Sequence, residues 1–149
     1  MRRTAAVGLH ALLVLLVAGC AAGSAVSDYG KVTKGAKGAT VRVEVGPGQR
    51  FSLAVADNPS EGDGWDLVEV PDTKVASYIS EEHESDGGGP GSGGTTYFVF
   101  NGKQPGTTEI RLRNCWRCGQ ARTPSTEESR RLSGEAIFAV TVAGRPAAG

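Results

Sequence analysis

The chain has 149 residues, with 16 Lys and Arg against 16 Asp and Glu, 39% hydrophobic residues, 22 glycines and three cysteines. A balanced charge with no basic stripe argues against a nucleic-acid partner, and this length supports one modest core rather than two.

The N-terminus, "MRRTAAVGLHALLVLLVAGC", places Arg2 and Arg3 before an apolar run from Ala11 to Ala18, followed by Gly19 and Cys20. This is a positive n-region, an h-region too short for a stop-transfer anchor, and small residues at a cleavage point, so residues 1–19 read as a secretory signal peptide. "VAGC" resembles a bacterial lipobox, which makes Cys20 the lipidated mature N-terminus and places the protein, exported, at the cell membrane surface without a spanning helix. An ordinary signal peptide with a coincidental cysteine is the alternative. Removing Arg2 and Arg3 from the 16 basic residues leaves 14 against 16 acids, a net charge of about −2. Residues 20–39 are rich in Gly, Ala, Ser and Lys and are expected to form a flexible tether. The folded domain is expected over 40–143, with 144–149 as a tail.

Within the domain the hydrophobic period is two. "TVRVEV" (40–45) alternates Val41, Val43 and Val45 with polar residues, and "RFSLAVA" (50–56) puts Phe51, Leu53 and Val55 on one face. Strands are predicted also at 65–70, 74–80, 95–100, 108–113 and 135–142, separated by turn signals such as Gly46-Pro47-Gly48, Pro71-Asp72 and Pro105-Gly106. The fold class is therefore all-β, an immunoglobulin-like sandwich of about seven or eight strands or a closed barrel. One helical turn is expected in "TPSTEESRRL", with Ser125 and Glu128 as a capping box.

Strand faces serve the core or water, which leaves recognition to loops. Three are unusual: "DNPSEGDG" (57–64), "ESDGGGPGSGG" (84–94) and "NCWRCGQARTPSTEESRRLSG" (114–134). In an immunoglobulin-like strand order the first and third lie at the same end of the sandwich. Pro59 fixes one dihedral and biases Asn58 to an extended shape, while Gly62 accepts positive φ, so the first loop is preorganised. Taken alone, the same residues describe an Asx or proline turn between two strands with Trp65 in the core. Acids crowd positions 57–86, opposed there by Lys74, and read as a solvated surface: no D-x-D-x-D-G pattern supports calcium.

"NPSEG" followed by Trp65, then "GSGGTTYFVF", then "QPGTTEIRLR", resembles the chagasin-like inhibitors of cysteine peptidases, whose loops read Asn-Pro-Thr-Thr-Gly, Gly-x-Gly-Gly and Arg-Pro-Trp. The likeness covers nearly the whole domain. It implies an immunoglobulin-like fold that blocks papain-type proteases by inserting three loops into the catalytic cleft, with no cofactor and no covalent chemistry. Asn58, Pro59 and Gly62 match the first motif, with Ser60 and Glu61 in place of its threonines. Gly91, Gly93 and Gly94 match the second. The third departs: Asn114, Cys115, Trp116, Arg117 and Cys118 stand where the family has Arg-Pro-Trp. By this resemblance the partner is a papain-like cysteine protease, contacted by a monomer through Asn58, Pro59, Ser60, Glu61, Gly62, Gly91, Gly93, Gly94, Trp116 and Arg117. A non-inhibitory surface module that kept the fold is the alternative.

In an exported chain Cys115 and Cys118 read most simply as a small-loop disulfide. A redox pair would require a helix N-terminus in a βαβ unit, and zinc would require more ligands than His83 and one cysteine pair supply. His83, placed by the sequence in an acidic Gly-rich loop, has no Ser or Cys motif beside it, so no catalytic constellation assembles and an enzyme is not expected. The disulfide is expected to replace the stiffening that the family obtains from proline, and to present Trp116 and Arg117 as an aromatic and cationic contact.

Overall fold

The computed structural model describes residues 28–144; the signal peptide, Cys20 with the rest of 20–27, and 145–149 of the expected tail lie outside them. Eight strands form two four-stranded sheets. They are β1 (Lys31–Lys34), β2 (Thr40–Val45), β3 (Arg50–Asp57), β4 (Asp63–Leu67), β5 (Ala76–Ser85), β6 (Gly94–Gly102), β7 (Gly106–Trp116) and β8 (Gly134–Val142). One sheet runs β1-β3-β6-β5 and the other β2-β8-β7-β4. The pairs β1–β3 and β2–β8 are parallel and the remainder antiparallel.

Period-two alternation builds the core, because successive side chains in a strand point to opposite faces. Phe51, Leu53 and Val55 of β3 and Phe98 and Phe100 of β6 meet Val43 and Val45 of β2, Ile110 and Leu112 of β7, and Phe138, Val140 and Val142 of β8. Trp65 closes the core beside the loops, buried, with its indole N–H donating to Ala56 O at 3.0 Å. The ring is held at both its apolar body and its polar tip.

Several predicted boundaries move, and β7 runs on through Asn114, Cys115 and Trp116, which the sequence placed in the third loop, because Asp63–Trp65 of β4 pair with them. Lys31–Lys34, inside the stretch read as tether, is an edge strand paired with β3. Composition gave no sign of it because β1 is fixed by tertiary contacts. Tyr29 stacks on Tyr97 at 4.3 Å, its hydroxyl donates to Glu84 Oε1 at 2.8 Å, and Gly30 packs where a Cβ would stand 2.0 Å from Arg50 O. The bond to Glu84, then burial, push the Tyr29 phenol up to about 12. Strand β4 starts at Asp63 rather than 65 and ends at Leu67, because Asp63 pairs with Trp116, leaving Val68 and Val70 exposed. Strand β5 begins after a turn, in which Lys74 N–H donates to Asp72 Oδ1, and continues past 80 through the acidic run to Ser85. It does so as an edge strand, with a bulge between Tyr78 and Ser80. His83 is therefore on a strand, opposite Thr96, and not in a loop. The short helix α1 (Glu127–Leu132) is capped one position later than expected, by Thr126, whose hydroxyl accepts the Ser129 N–H at 3.0 Å.

Candidate functional site: three loops at one pole

The topology decides where the loops go. The hairpin β5–β6 belongs to one sheet and β7–β8 to the other, while the chain from β3 to β4 crosses between sheets. Register puts all three connections at one pole: Asp57 pairs with Gly94, Ser85 with Gly94, and Asp63 with Trp116. The crossing loop, 58–62, lies between the other two and is bonded to each. Asn58 Nδ2 donates to Gly91 O at 3.1 Å, and Arg117 N–H donates to Gly62 O at 2.8 Å. The expected convergence of the first and third loops is thus observed, and the second joins them.

The first loop is compact. Pro59–Glu61 forms a single 3-10 turn with Gly62 left-handed at φ 81°, and Asn58 O accepts the N–H groups of both Glu61 and Asp63. Ser60 Oγ donates to Asn58 Oδ1 at 2.5 Å, so the Asn58 side chain is engaged at both ends. Proline at the start of the turn and glycine at its left-handed end are what this geometry requires.

The glycines of the second loop serve two purposes. Gly91 is left-handed at φ 88° in open space. Gly93 and Gly94 permit close approach: a Cβ on Gly93 would stand 3.0 Å from Asp57 O, and one on buried Gly94 would stand 2.4 Å from Glu84 O and 2.6 Å from His83 Cε1. Their requirement for glycine is therefore explained within the fold, by the joining of β5 and β6 beneath the first loop.

In the third loop Cys115 and Cys118 are joined by a disulfide. Trp116, half-buried, has its backbone held on both sides: its N–H donates to Ser133 Oγ at 2.9 Å and its carbonyl accepts Ser129 Oγ at 2.6 Å. Arg117 adopts the left-handed conformation at φ 50°, lays its guanidinium over the Trp116 ring at 4.3 Å, and donates from Nε to Glu61 O at 3.3 Å. Trp116 and Arg117 thus form one cation–π unit fastened to the first loop.

Two polar groupings that the sequence did not single out support the pole. Arg122, also left-handed at φ 50°, returns the third loop to β4 by bonding both carboxylate oxygens of Asp66. Beneath the first loop, buried Asp57 accepts a short hydrogen bond from Thr96 Oγ1. His83 Nδ1 stands 3.4 Å from Asp57 Oδ1, an ion-pair distance without hydrogen-bond alignment, so that oxygen is buried without a hydrogen-bond partner. Glu81 lies in the same region. Burial first, then the charges of Asp66 and Asp57, raise its carboxyl above the ordinary glutamate value, and Arg122 opposes them. Sequence spacing gives no hint of either grouping, because their members lie on strands and loops far apart in the chain.

On the outer face of β4 and β7 the loops enclose an open groove of about 600 Å³, lined by Pro59, Gly62, Gly64, Cys115, Arg117, Cys118 and Arg122 among others. The groove is shallow and mixed in polarity, and no catalytic set of nucleophile, base and orienting group faces it.

The model of the chagasin family of peptidase inhibitors, I42, matches residues 44–130, more than half of the chain. The protein belongs to the chagasin family. This is a family of protease inhibitors, not of enzymes. Among curated proteins no sequence matches the chain. Solved structures share the fold at low identity. The crystal structure of the cysteine protease inhibitor EhICP2 from Entamoeba histolytica superposes with a TM-score of 0.51 at 15% identity, over 75% of this chain and 94% of that one. Amebosin gives 0.51 at 20% identity, over 76% and 97%. PbICP-C, solved in complex with falcipain-2, gives 0.52 at 14% identity, over 78% and 100%.

Proposed function

We propose that this protein is an exported, lipid-anchored inhibitor that blocks papain-like cysteine proteases reversibly and non-covalently, by inserting the three-loop pole into the catalytic cleft. The observation that carries the reading is the locking of the first loop to both neighbours, through Asn58 to Gly91 and Gly62 to Arg117. A preformed surface loses little ordering entropy on docking. A tip of Pro59, Ser60 and Gly62 is narrow enough to bring backbone groups to a buried nucleophile. Family membership and the PbICP-C complex with falcipain-2 support the same partner class.

The anchor is consistent with that orientation. Strand β1 begins beside Phe51, at the start of β3, whereas the loops follow the end of β3. Chain entering from a lipidated Cys20 would therefore reach the domain at the pole opposite the loops, leaving them directed away from the membrane.

Titration of the purified protein against papain, in the presence of a reducing thiol, tests inhibition: competitive, fully reversible loss of activity is expected. Papain activity unchanged at high micromolar protein would reject the inhibitory reading and favour a non-inhibitory surface module. For the anchor, Cys20→Ala is expected to abolish acylation and release the protein from the membrane fraction; an unmodified mature N-terminus in the wild type would reject it.

A further inference from the structure

We propose that Glu61 is the residue by which this inhibitor selects among papain-like proteases, by calling for a lysine or arginine on the wall of the cleft that receives the first loop. The proposal rests on the inhibitory reading above and adds the charge of the partner.

The side chains of the first loop differ in what the fold asks of them. Pro59 and Gly62 set the backbone of the turn, Asn58 is bonded at both ends, and the Ser60 hydroxyl is spent on Asn58. Glu61 is exposed, and the fold uses only its backbone: its N–H donates to Asn58 O and its carbonyl accepts from Arg117 Nε at 3.3 Å. Among the described residues its carboxylate has no hydrogen bond and no ion pair. The other acids around this loop are all committed, Asp57 to Thr96, Asp63 to Asn114 and Asp66 to Arg122. The fold needs a residue at 61; it does not need a carboxylate.

A cation stands beside Glu61 and is kept from pairing with it. Arg117 runs its stem along Gly62, where a Cβ would stand 3.1 Å from Arg117 Cγ, and lays its guanidinium on the Trp116 ring at 4.3 Å. Its left-handed backbone, at φ 50°, is one that a residue other than glycine adopts at a cost, so this placement is imposed by the surroundings. Arg117 thus reaches the carbonyl of Glu61 and leaves the carboxylate to water.

Docking changes that. A cleft that takes in the tip of the loop strips water from the Glu61 carboxylate, and a desolvated charge without a counter-charge weakens the complex. A lysine or arginine across the interface turns the same charge into an attraction and speeds encounter, while an aspartate or glutamate there is rejected. An uncharged residue, such as the threonines of the family motif, would impose no such requirement. Charge at 61 therefore sorts proteases more than it raises affinity for all of them.

The test is an inhibition assay against papain and a set of papain variants in which each non-catalytic residue bordering the cleft is replaced, one at a time, by lysine and by glutamate. Inhibition constants are compared for the wild-type protein, Glu61→Gln and Glu61→Lys. At the positions that face the first loop, lysine should favour the wild type over glutamate at least tenfold, Glu61→Gln should lose most of that preference, and Glu61→Lys should reverse it. The preference should shrink as salt is raised. The melting temperature of Glu61→Gln should match wild type, because the carboxylate makes no bond within the fold. Papain substitutions that act equally on wild type and Glu61→Gln would overturn the assignment, and so would a lower melting temperature for Glu61→Gln, which would mean that the carboxylate is spent inside the protein. Failure of the wild type to inhibit papain or any of its variants would instead overturn the inhibitory reading beneath it.

Discussion

The first and third loops are braced by different chemistry. The loop at 58–62 is stiffened by its own backbone: a proline entry, a left-handed glycine exit, and two N–H groups converging on Asn58 O. The loop after β7 lacks a proline at the tip and is stiffened from outside, by a disulfide, an Arg117–Trp116 stack, two serine hydroxyls and the Arg122–Asp66 clamp. Backbone-encoded geometry survives most side-chain changes, whereas geometry assembled from side chains depends on each of them. The two loops should therefore respond differently to substitution, and where they do not, the comparison fails.

The largest effect is expected from the first loop. Replacing 58–62 by a neutral Gly-Ser segment removes the proline, the Asn58 side-chain bond to Gly91 and the backbone shape at once. If this loop is the centre of the contact, the loss should match the stronger interface hot spots, about 3 kcal/mol or more, roughly a hundredfold in inhibition constant. Stability should change by less than about 1 kcal/mol, because none of Pro59, Ser60, Glu61 or Gly62 is buried. Inhibition unchanged in a folded variant would reject the role of the loop.

Trp116→Ala probes the externally braced loop, and its two readouts separate contact from support. As a contact its removal should cost about 2 kcal/mol in affinity, roughly thirtyfold, with the melting temperature nearly unchanged. As a cover for the end of the sandwich it would lower the melting temperature and leave affinity untouched. The observed bonds to Ser129 and Ser133 are made by the Trp116 backbone, which alanine retains. They favour the first outcome. A stability loss without an affinity loss would remove this loop from the binding surface.

How much of this was legible in the sequence differs between the same two regions. Alternation of Phe51, Leu53 and Val55 or of Val41, Val43 and Val45 locates strands because burial of one face is a local pattern. The first loop is likewise legible, since Pro59 and Gly62 declare their dihedrals in their chemistry. Strand β1 was hidden: "KVTK" has no core face, and the partners of Tyr29 and Gly30 lie on β3, β5 and β6, far beyond any local pattern. The acids of β5 read as loop because an edge strand turns a charged surface to water, and only pairing with β6 makes it a strand. The left-handed arginines, the Asp66 clamp and the Asp57, Thr96 and His83 grouping are products of topology, and no spacing in one chain announces them.

The smallest expected effect concerns the ground between the loops. Glu81 is raised by burial and by the charges of Asp66, under the third loop, and Asp57, under the first. A carboxyl whose folded-state value is raised binds protons more readily in the folded than in the unfolded chain, so it adds stability as pH falls and withdraws it as pH rises through the raised value. At neutral pH Glu81→Gln removes a charge that the fold disfavours, and the variant should melt slightly above wild type. Between the raised value and the ordinary glutamate range the wild-type side chain takes up its proton first in the folded protein, and the gap should close. Below that range both side chains are neutral and the two curves should meet. Melting temperature measured against pH for the two proteins decides it. A constant offset at every pH would mean that Glu81 acts through packing, and that the braces of the two loops are electrostatically independent.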